Sequence, residues 1–186
     1  MAGPLRVALR GVQQCKIAKL LTDGTVGGTP TYDSILDVPI VGLSFKPTIE
    51  TYTLKHNDAE QEIDQQTQSW ELTGSMGRVP LDVLAVMEGG TVVPTGSDNA
   101  EIQTYTNNSA DIPKYFKLET QTTRVFAQDG TAGDAHFVFP KCKLMDINYT
   151  IDEGFATLEF TAKAIRTVCN GNARQTVFNE TKTDIT

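Results

Sequence analysis

Apolar residues along this chain recur at every second position, the spacing of half-buried β-strands rather than of helices. In TYTLKH, Tyr52 and Leu54 alternate with Thr51, Thr53 and Lys55. In SWELTGSM, Trp70, Leu72 and Met76 oppose Ser69, Glu71, Thr73 and Ser75. LMDINYTID sets Met145, Ile147, Tyr149 and Ile151 against Asp146, Asn148, Thr150 and Asp152. FATLEFTAKA sets Leu158, Phe160, Ala162 and Ala164 against Thr157, Glu159, Thr161 and Lys163, and DEG, ending at Gly154, predicts a tight hairpin between these last two. Each strand thus has one apolar face and one of Thr, Ser, Asn and scattered charge, the mark of an antiparallel sheet with one side wet. YFKLETQTTRVFA and HFVFPKCKL read as strands of an opposing layer.

One segment has helical signals. RVPLDVLAVMEGG places Pro80 at a first turn and Gly89–Gly90 at a stop, with Leu81, Leu84 and Val86 expected to pack on the sheet. The fold class predicted is mainly β: two packed antiparallel sheets, sandwich- or barrel-like, flanked by one α-helix and carrying a long projecting loop. Residues 1–166 form the β-domain, with an N-terminal arm over 1–21, and residues 167–186 a polar tail or arm anchored at Val177 and Phe178. TDGTVGGTPTYD reads as a loop, and Pro39 in ILDVPIVGLSF marks an edge or crossing segment.

The projecting loop follows from parity. If the strand through Trp70 and Leu72 ran backwards unchanged, its core face would carry Gln68, Gln66, Asp64, Glu62, Glu60 and Asp58. Carboxylates cannot lie on an apolar core without partners. Residues 56–68 must therefore leave the core and project, either free or docked on another molecule.

Composition narrows the function. The chain has 186 residues, the length of one domain with extended arms, and its formal net charge of −7 argues against a basic nucleic-acid interface or an anionic membrane surface. Cys15, Cys142 and Cys169 form no CxxC pair and an odd count, which predicts reduced thiols made in a cytoplasm. The longest apolar run, Val83 to Met87, is far short of a membrane span, and Arg6 and Arg10 interrupt any signal-like segment.

The chemical motifs are each incomplete. Ser75 with Asp129 or Asp134 and His136 falls in hydrolase order, but Thr73 stands where a nucleophile elbow needs Gly, and the βαβ alternation is missing. Asp58, Glu60, Glu62 and Asp64 alternate as in a calcium loop without its Gly or terminal Glu. His136 and Cys142 are two ligands where zinc needs more. GTVGGT lacks the Lys of a phosphate loop. Asn107, Asn148 and Asn179 open glycosylation triplets that matter only in a secreted protein. The reading is non-enzymatic, with no metal or cofactor.

The order of features (polar N-terminal arm, strand pair with a long loop, then ELTGSMGRVPLDVLAVMEGG, IPKYFKLETQT and KCKLMDINYTIDEGFATLEFTAKAI) resembles the major tail tube proteins of long-tailed bacteriophages, over about residues 15 to 166. The resemblance implies hexameric rings that stack into a tube, each subunit giving four strands to a barrel around the lumen through which the genome leaves. It places Thr51, Thr53, Lys55, Ser69, Glu71, Thr73, Asn148, Thr157, Glu159 and Thr161 on a weakly acidic lumen wall. The acidic loop (Asp58, Glu60, Glu62, Asp64) would dock on a neighbouring subunit or ring, with Arg6, Arg10, Arg78 and Arg124 as possible acceptors. Implied partners are the chain itself, a tape measure protein, a tail terminator and distal tail proteins, with DNA as non-specific cargo. The implied location is the virion, after assembly in the host cytoplasm. The alternatives are a tube subunit of a contractile or type VI secretion-like system, and a β-sandwich ligand-binding module. Clustered exposed aromatics would favour the binding module.

Overall fold

The computed structural model describes residues 7–56, 59–78, 80–96, 101–126, 132–151, 153–154 and 156–185. Ten strands and one helix are assigned among them: β1 Val7–Thr22, β2 Thr31–Asp37, β3 Ile40–His56, β4 Ala59–Met76, α1 Leu81–Glu88, β5 Thr91–Thr95, β6 Ile102–Thr106, β7 Phe116–Phe126, β8 Ala132–Thr150, β9 Thr157–Ala164 and β10 Gln175–Asn179. The fold is mainly β, with two packed antiparallel layers and a single helix, as the alternation predicts.

Strand order is β2-β1-β7-β8-β9-β4-β3, with β10 also on β8 and β5–β6 a separate hairpin. β8 is long enough to serve both layers. Its first half pairs with β7 and β10, and its second half with β9. The sheet curls so that Phe45 of the edge strand β3 packs against Phe137 and Phe139 of β8, ring centroids 5.1 and 5.3 Å apart. Between the layers lie Ile17 from β1, Leu72 and Met76 from β4, Phe116 and Leu118 from β7, Phe139 and Leu144 from β8, and Leu158, Phe160, Ala162 and Ala164 from β9.

The helix closes this core through Val83, Leu84 and Met87, with Leu81 and Val86 packed at its margin. Pro80 sits at the N-cap position, one residue before the first helical turn. Asp82 in that turn complements the helix dipole. Glu88 at the far end accepts from Tyr105 of β6 at 2.6 Å and from Tyr149 of β8 at 3.3 Å, which ties hairpin and sheet to the helix.

Several boundaries differ from the sequence expectations. Residues 7–21, expected as an arm, form nearly all of β1, which lies between β2 and β7. Its polar stretch hides a strand because a bulge at Gly11, at φ 61°, resets the alternation there. Met145 is not in the core but 63% exposed: the register shifts between Leu144 and Asp146, so Met145 is the extra residue, Leu144 takes the core position before it, and Ile147 resumes the core face beyond it. Ile151 is exposed because it lies past the last β8–β9 pair, Thr150↔Thr157. β8 and β9 are joined through residues 151–156 rather than by a tight turn, since Thr150 pairs with Thr157. The tail is not a free arm: β10 pairs with residues 134–138 of β8, and Ile185 is buried.

Candidate functional site

The segment expected as a projecting loop is a projecting β-ribbon. β3 and β4 pair continuously from Thr48↔Ser69 to His56↔Ala59, whereas β9 pairs β4 only from Trp70 onward. Among the described residues, 49–56 and 59–67 thus have only each other as ladder partners, a two-stranded ribbon about 26 Å long at about 3.3 Å per residue. It leaves the core because its cross-strand pairs are polar. Thr51, Tyr52 and Thr53 are exposed, as are Ile63, Asp64, Gln65 and Gln66. Tyr52, expected on a core face, is half exposed for want of any layer beneath it. Asp58 lies outside the described residues, as do the side chains of Lys55, Glu60 and Glu62.

The pairing gives the ribbon two unlike faces. Directly opposed residues share a face. Ile49, Thr51 and Thr53 oppose Thr67, Gln65 and Ile63, a neutral, β-branched side. Glu50 and Tyr52 oppose Gln66 and Asp64 on the other.

Where the ribbon meets the body, the outer face of β3, β4, β9 and β8 forms one polar surface. Across the four strands run the rows Lys46, Glu71, Lys163, Lys143 and Ser44, Thr73, Thr161, Asp146; then follow Ser75, Glu159, Asn148 and finally Thr157, Thr150. Alternate residues of β9 (Leu158, Phe160, Ala162, Ala164) point the other way into the core, which fixes this face outward. Thr73, Asn148, Thr157 and Glu159 are exposed, and Glu71 and Thr161 partly so. Six of the ten residues expected together from sequence share this face (Glu71, Thr73, Asn148, Thr157, Glu159 and Thr161); Thr51 and Thr53 lie on the ribbon, the Lys55 side chain lies outside the described residues, and Ser69 departs. Ser69 is 2% exposed, its hydroxyl buried without a hydrogen-bond partner. The cause is a bulge: the register slips between Thr48/Ser69 and Ile49/Thr67, so simple alternation fails at the ribbon's base.

The surface is balanced in charge. The face carries three carboxylates, Glu71, Asp146 and Glu159, and three lysines, Lys46, Lys143 and Lys163; the lysines all lie in the first row with Glu71, and Asp146 and Glu159 lie in the next two. Lys46 bonds Glu71 at 3.0 Å, an exposed pair worth little to stability. A polar depression of about 320 Å³ lies in its middle, lined by Thr73, Asp146, Asn148, Glu159 and Thr161 with Ile147 and Phe160 at its floor.

The hydrolase residues are not assembled. Ser75 lies within β4 on the polar face, opposite Gly42 and Glu159. His136 has both ring nitrogens against carboxylates, Glu119 at 2.8 Å and Asp134 at 3.1 Å. Asp129 lies outside the described residues. Cys142 is fully buried and its thiol donates to the Phe139 carbonyl at 3.5 Å. Burial pushes the Cys142 thiol well above the ordinary range and that of Cys15 up to about 12, so both are poor nucleophiles and poor metal ligands.

A buried polar cluster on β7 and β8 escaped the sequence reading. Lys117, Glu119 and Gln121 alternate on β7 beside Asp134 and His136 on β8, with Asn179 and Thr183 laid over them. The available signal was the same period-2 alternation: these polar residues occupy the phase opposite Phe116, Leu118 and Phe139, an outer face that the C-terminal segment then covers. No protein-family model matches the chain, and no curated protein matches it.

Proposed function

We propose that this chain is a structural subunit that assembles into stacked hexameric rings forming the tail tube of a long-tailed bacteriophage, a conduit for genome ejection. The observation that carries the reading is the continuous polar face of β3, β4, β9 and β8, extended past the core by the β3–β4 ribbon. Four strands from each of six copies make a barrel of about 24 strands. At about 4.8 Å between strands its backbone diameter is about 37 Å before any strand tilt, enough for duplex DNA once side chains are subtracted.

The lining chemistry suits such a role. Thr, Ser and Asn hold water, while three carboxylates offset the three lysines and leave the face no net positive charge to trap phosphates. In this arrangement the open edge of β3 pairs with a neighbouring copy, and the ribbon reaches the next subunit or ring. Tape measure, terminator and distal tail proteins are the partners the tube would meet at its lumen and ends.

The test is negative-stain electron microscopy of the concentrated protein with sedimentation velocity alongside. Rings or hollow tubes are expected. A strictly monomeric species at every concentration up to the solubility limit overturns the proposal. Co-purification with a sheath protein would place the same tube in a contractile or secretion-like machine. The depression at Asp146, Asn148 and Glu159 is the observation that favours a ligand-binding module instead, and a monomer that binds a polyhydroxyl ligand there would support that reading.

A further inference from the structure

The C-terminal segment is fastened at one point by buried charge. Asp134, 1% exposed, accepts from the backbone N–H of Thr183 at 2.6 Å, from Asn179 Nδ2 at 2.7 Å and from Gln121 Nε2 at 2.7 Å. Gln121 also donates to the Thr183 carbonyl at 2.6 Å. Behind this, His136 sets Nε2 at 3.1 Å from Asp134 Oδ2 and Nδ1 at 2.8 Å from Glu119 Oε1. An ionised carboxylate oxygen only accepts, so bonding both carboxylates takes two ring donors, which a neutral imidazole lacks; the Thr183 hydroxyl at 3.3 Å is the longer alternative partner of Nε2.

Charge counting gives the same answer. Lys117 lies 3.0 Å from the second oxygen of Glu119. With His136 protonated, two cations meet two carboxylates. With His136 neutral, the pocket holds one net negative charge out of water, a costly state. The other groups that face the ring do not compensate. Asn179 and Thr183 carry no charge, and Lys16 on β1, the ladder partner of Glu119, keeps its charge but directs its ammonium to the Ile185 carbonyl at 3.1 Å, so it donates to neither His136-bound carboxylate oxygen. Cys15 on β1 is a protonated thiol.

We propose that His136 is a protonation-dependent clamp. As an imidazolium it fixes Asp134 where Asn179 and Thr183 bind; on losing its proton it releases residues 175–185 from the β8 edge. This device stands whether or not the chain forms a tube.

The direction of the pH response follows. Burial alone would lower the His136 pKa, but the bonds and charges of Glu119 and Asp134 outweigh it and hold the value above the ordinary 6.5. The clamp is at full strength below about 6.5 and weakens as pH rises through the raised value. Burial likewise raises the Asp134 pKa, but bonds from Thr183, Gln121, Asn179 and His136 prevail and hold it well below the carboxylate range. Its share is lost only in strong acid.

The experiment is hydrogen exchange of the β10 amides, as protection factors, from about pH 5.5 to about pH 9.5. Protection should fall by up to about tenfold per pH unit between about 6.5 and the docked-state pKa of His136, then level off. Trp70, the sole tryptophan, supplies a second readout because Arg174 stacks over its ring at 4.2 Å. Its emission should change over the same window. His136→Gln should lose protection and its pH dependence together. In Glu119→Gln the new amide can donate to Nδ1, so a neutral ring suffices: protection should persist and the transition vanish. Flat protection in the unaltered protein, or an unchanged transition in Glu119→Gln, overturns the clamp. If His136→Gln does not fold, the Glu119→Gln profile decides alone.

Discussion

Replacing residues 51–65 with Asn-Gly, so that Glu50 turns directly into its partner Gln66, separates the two roles open to the ribbon: part of the fold or a device for assembly. The structure sets the size of the effect. Among the described side chains, none between Ile49 and Thr67 belongs to the hydrophobic core. The described side chains of the ribbon therefore add no apolar burial to the core, the dominant favourable term in folding. Ordering its backbone costs about 1–2 kcal/mol per residue, more than its ladder hydrogen bonds return at about 0.5–1.5 kcal/mol each, so the ribbon does not stabilise the body. An isolated two-stranded hairpin is marginal for this reason. The replacement also keeps the Gln68–Glu50 bond at 2.8 Å and the Arg166 bond to the Thr67 carbonyl at 3.1 Å. The expected loss is below about 1 kcal/mol, a Tm shift of no more than about 2–4 °C for a chain of this size. Circular dichroism melting measures that, and electron microscopy shows whether rings or tubes form. A folded subunit that cannot assemble is the expected result. A Tm loss beyond about 8 °C would mean the ribbon supports the core, and tubes from the shortened chain would refute its role in assembly.

Three further outcomes follow from the same geometry. Glu71→Lys with Glu159→Lys sets added positive charge beside Lys46 and Lys163 on the proposed lumen wall; the subunit should fold and assemble while DNA passage is impaired, and normal infectivity of such virions would remove the electrostatic argument. A methyl at Gly74 would sit 2.5 Å from the Phe160 ring, so Gly74→Ala should cost about 1–3 kcal/mol in urea unfolding, and Phe160→Ala about 3–5 kcal/mol. In a Phe160→Leu background the Gly74→Ala cost should shrink, and strict additivity would show that the ring contact is not its origin. Cys15, Cys142 and Cys169 are all buried, so a thiol-specific disulfide reagent near pH 8 should leave the native protein unmodified and label it fully in denaturant; rapid native labelling would contradict the packing.

What could be read from the sequence was whatever strict alternation carries. β9 follows its alternation throughout, and on β4 Leu72 and Met76 take the expected side. The acidic run also gave its own displacement from the core, because no apolar layer tolerates those carboxylates. Alternation failed wherever one residue was inserted. Gly11, Gln68 and Met145 each sit at a register shift, and such a shift leaves composition untouched while breaking the alternation across it. The C-terminal anchor was hidden differently. Asp134, His136, Asn179 and Thr183 are ordinary polar residues until a fold brings positions far apart in sequence onto one buried face.

The two sheet edges bear on assembly in opposite ways. β2 is a short edge carrying Asp33 and Asp37, charges that discourage a stray strand from pairing. β3 is guarded only in its first half. Pro47 lacks the N–H that a new partner would need, Lys46 adds charge, and Phe45 is folded back against β8. Its second half, from Ile49 through Thr53, offers Ile, Thr and Tyr side chains exposed to solvent, with Glu50 alone as a charge. A protein meant to stay alone would place a lysine or proline there. An edge guarded near the body and open along the ribbon suits a chain whose pairing partner is specific and arrives at that end. The same asymmetry gives the exposed Ile49, Tyr52 and Ile63 of an otherwise polar ribbon a use. Its ladder is half of a surface, and under the proposed assembly a second subunit supplies the other half.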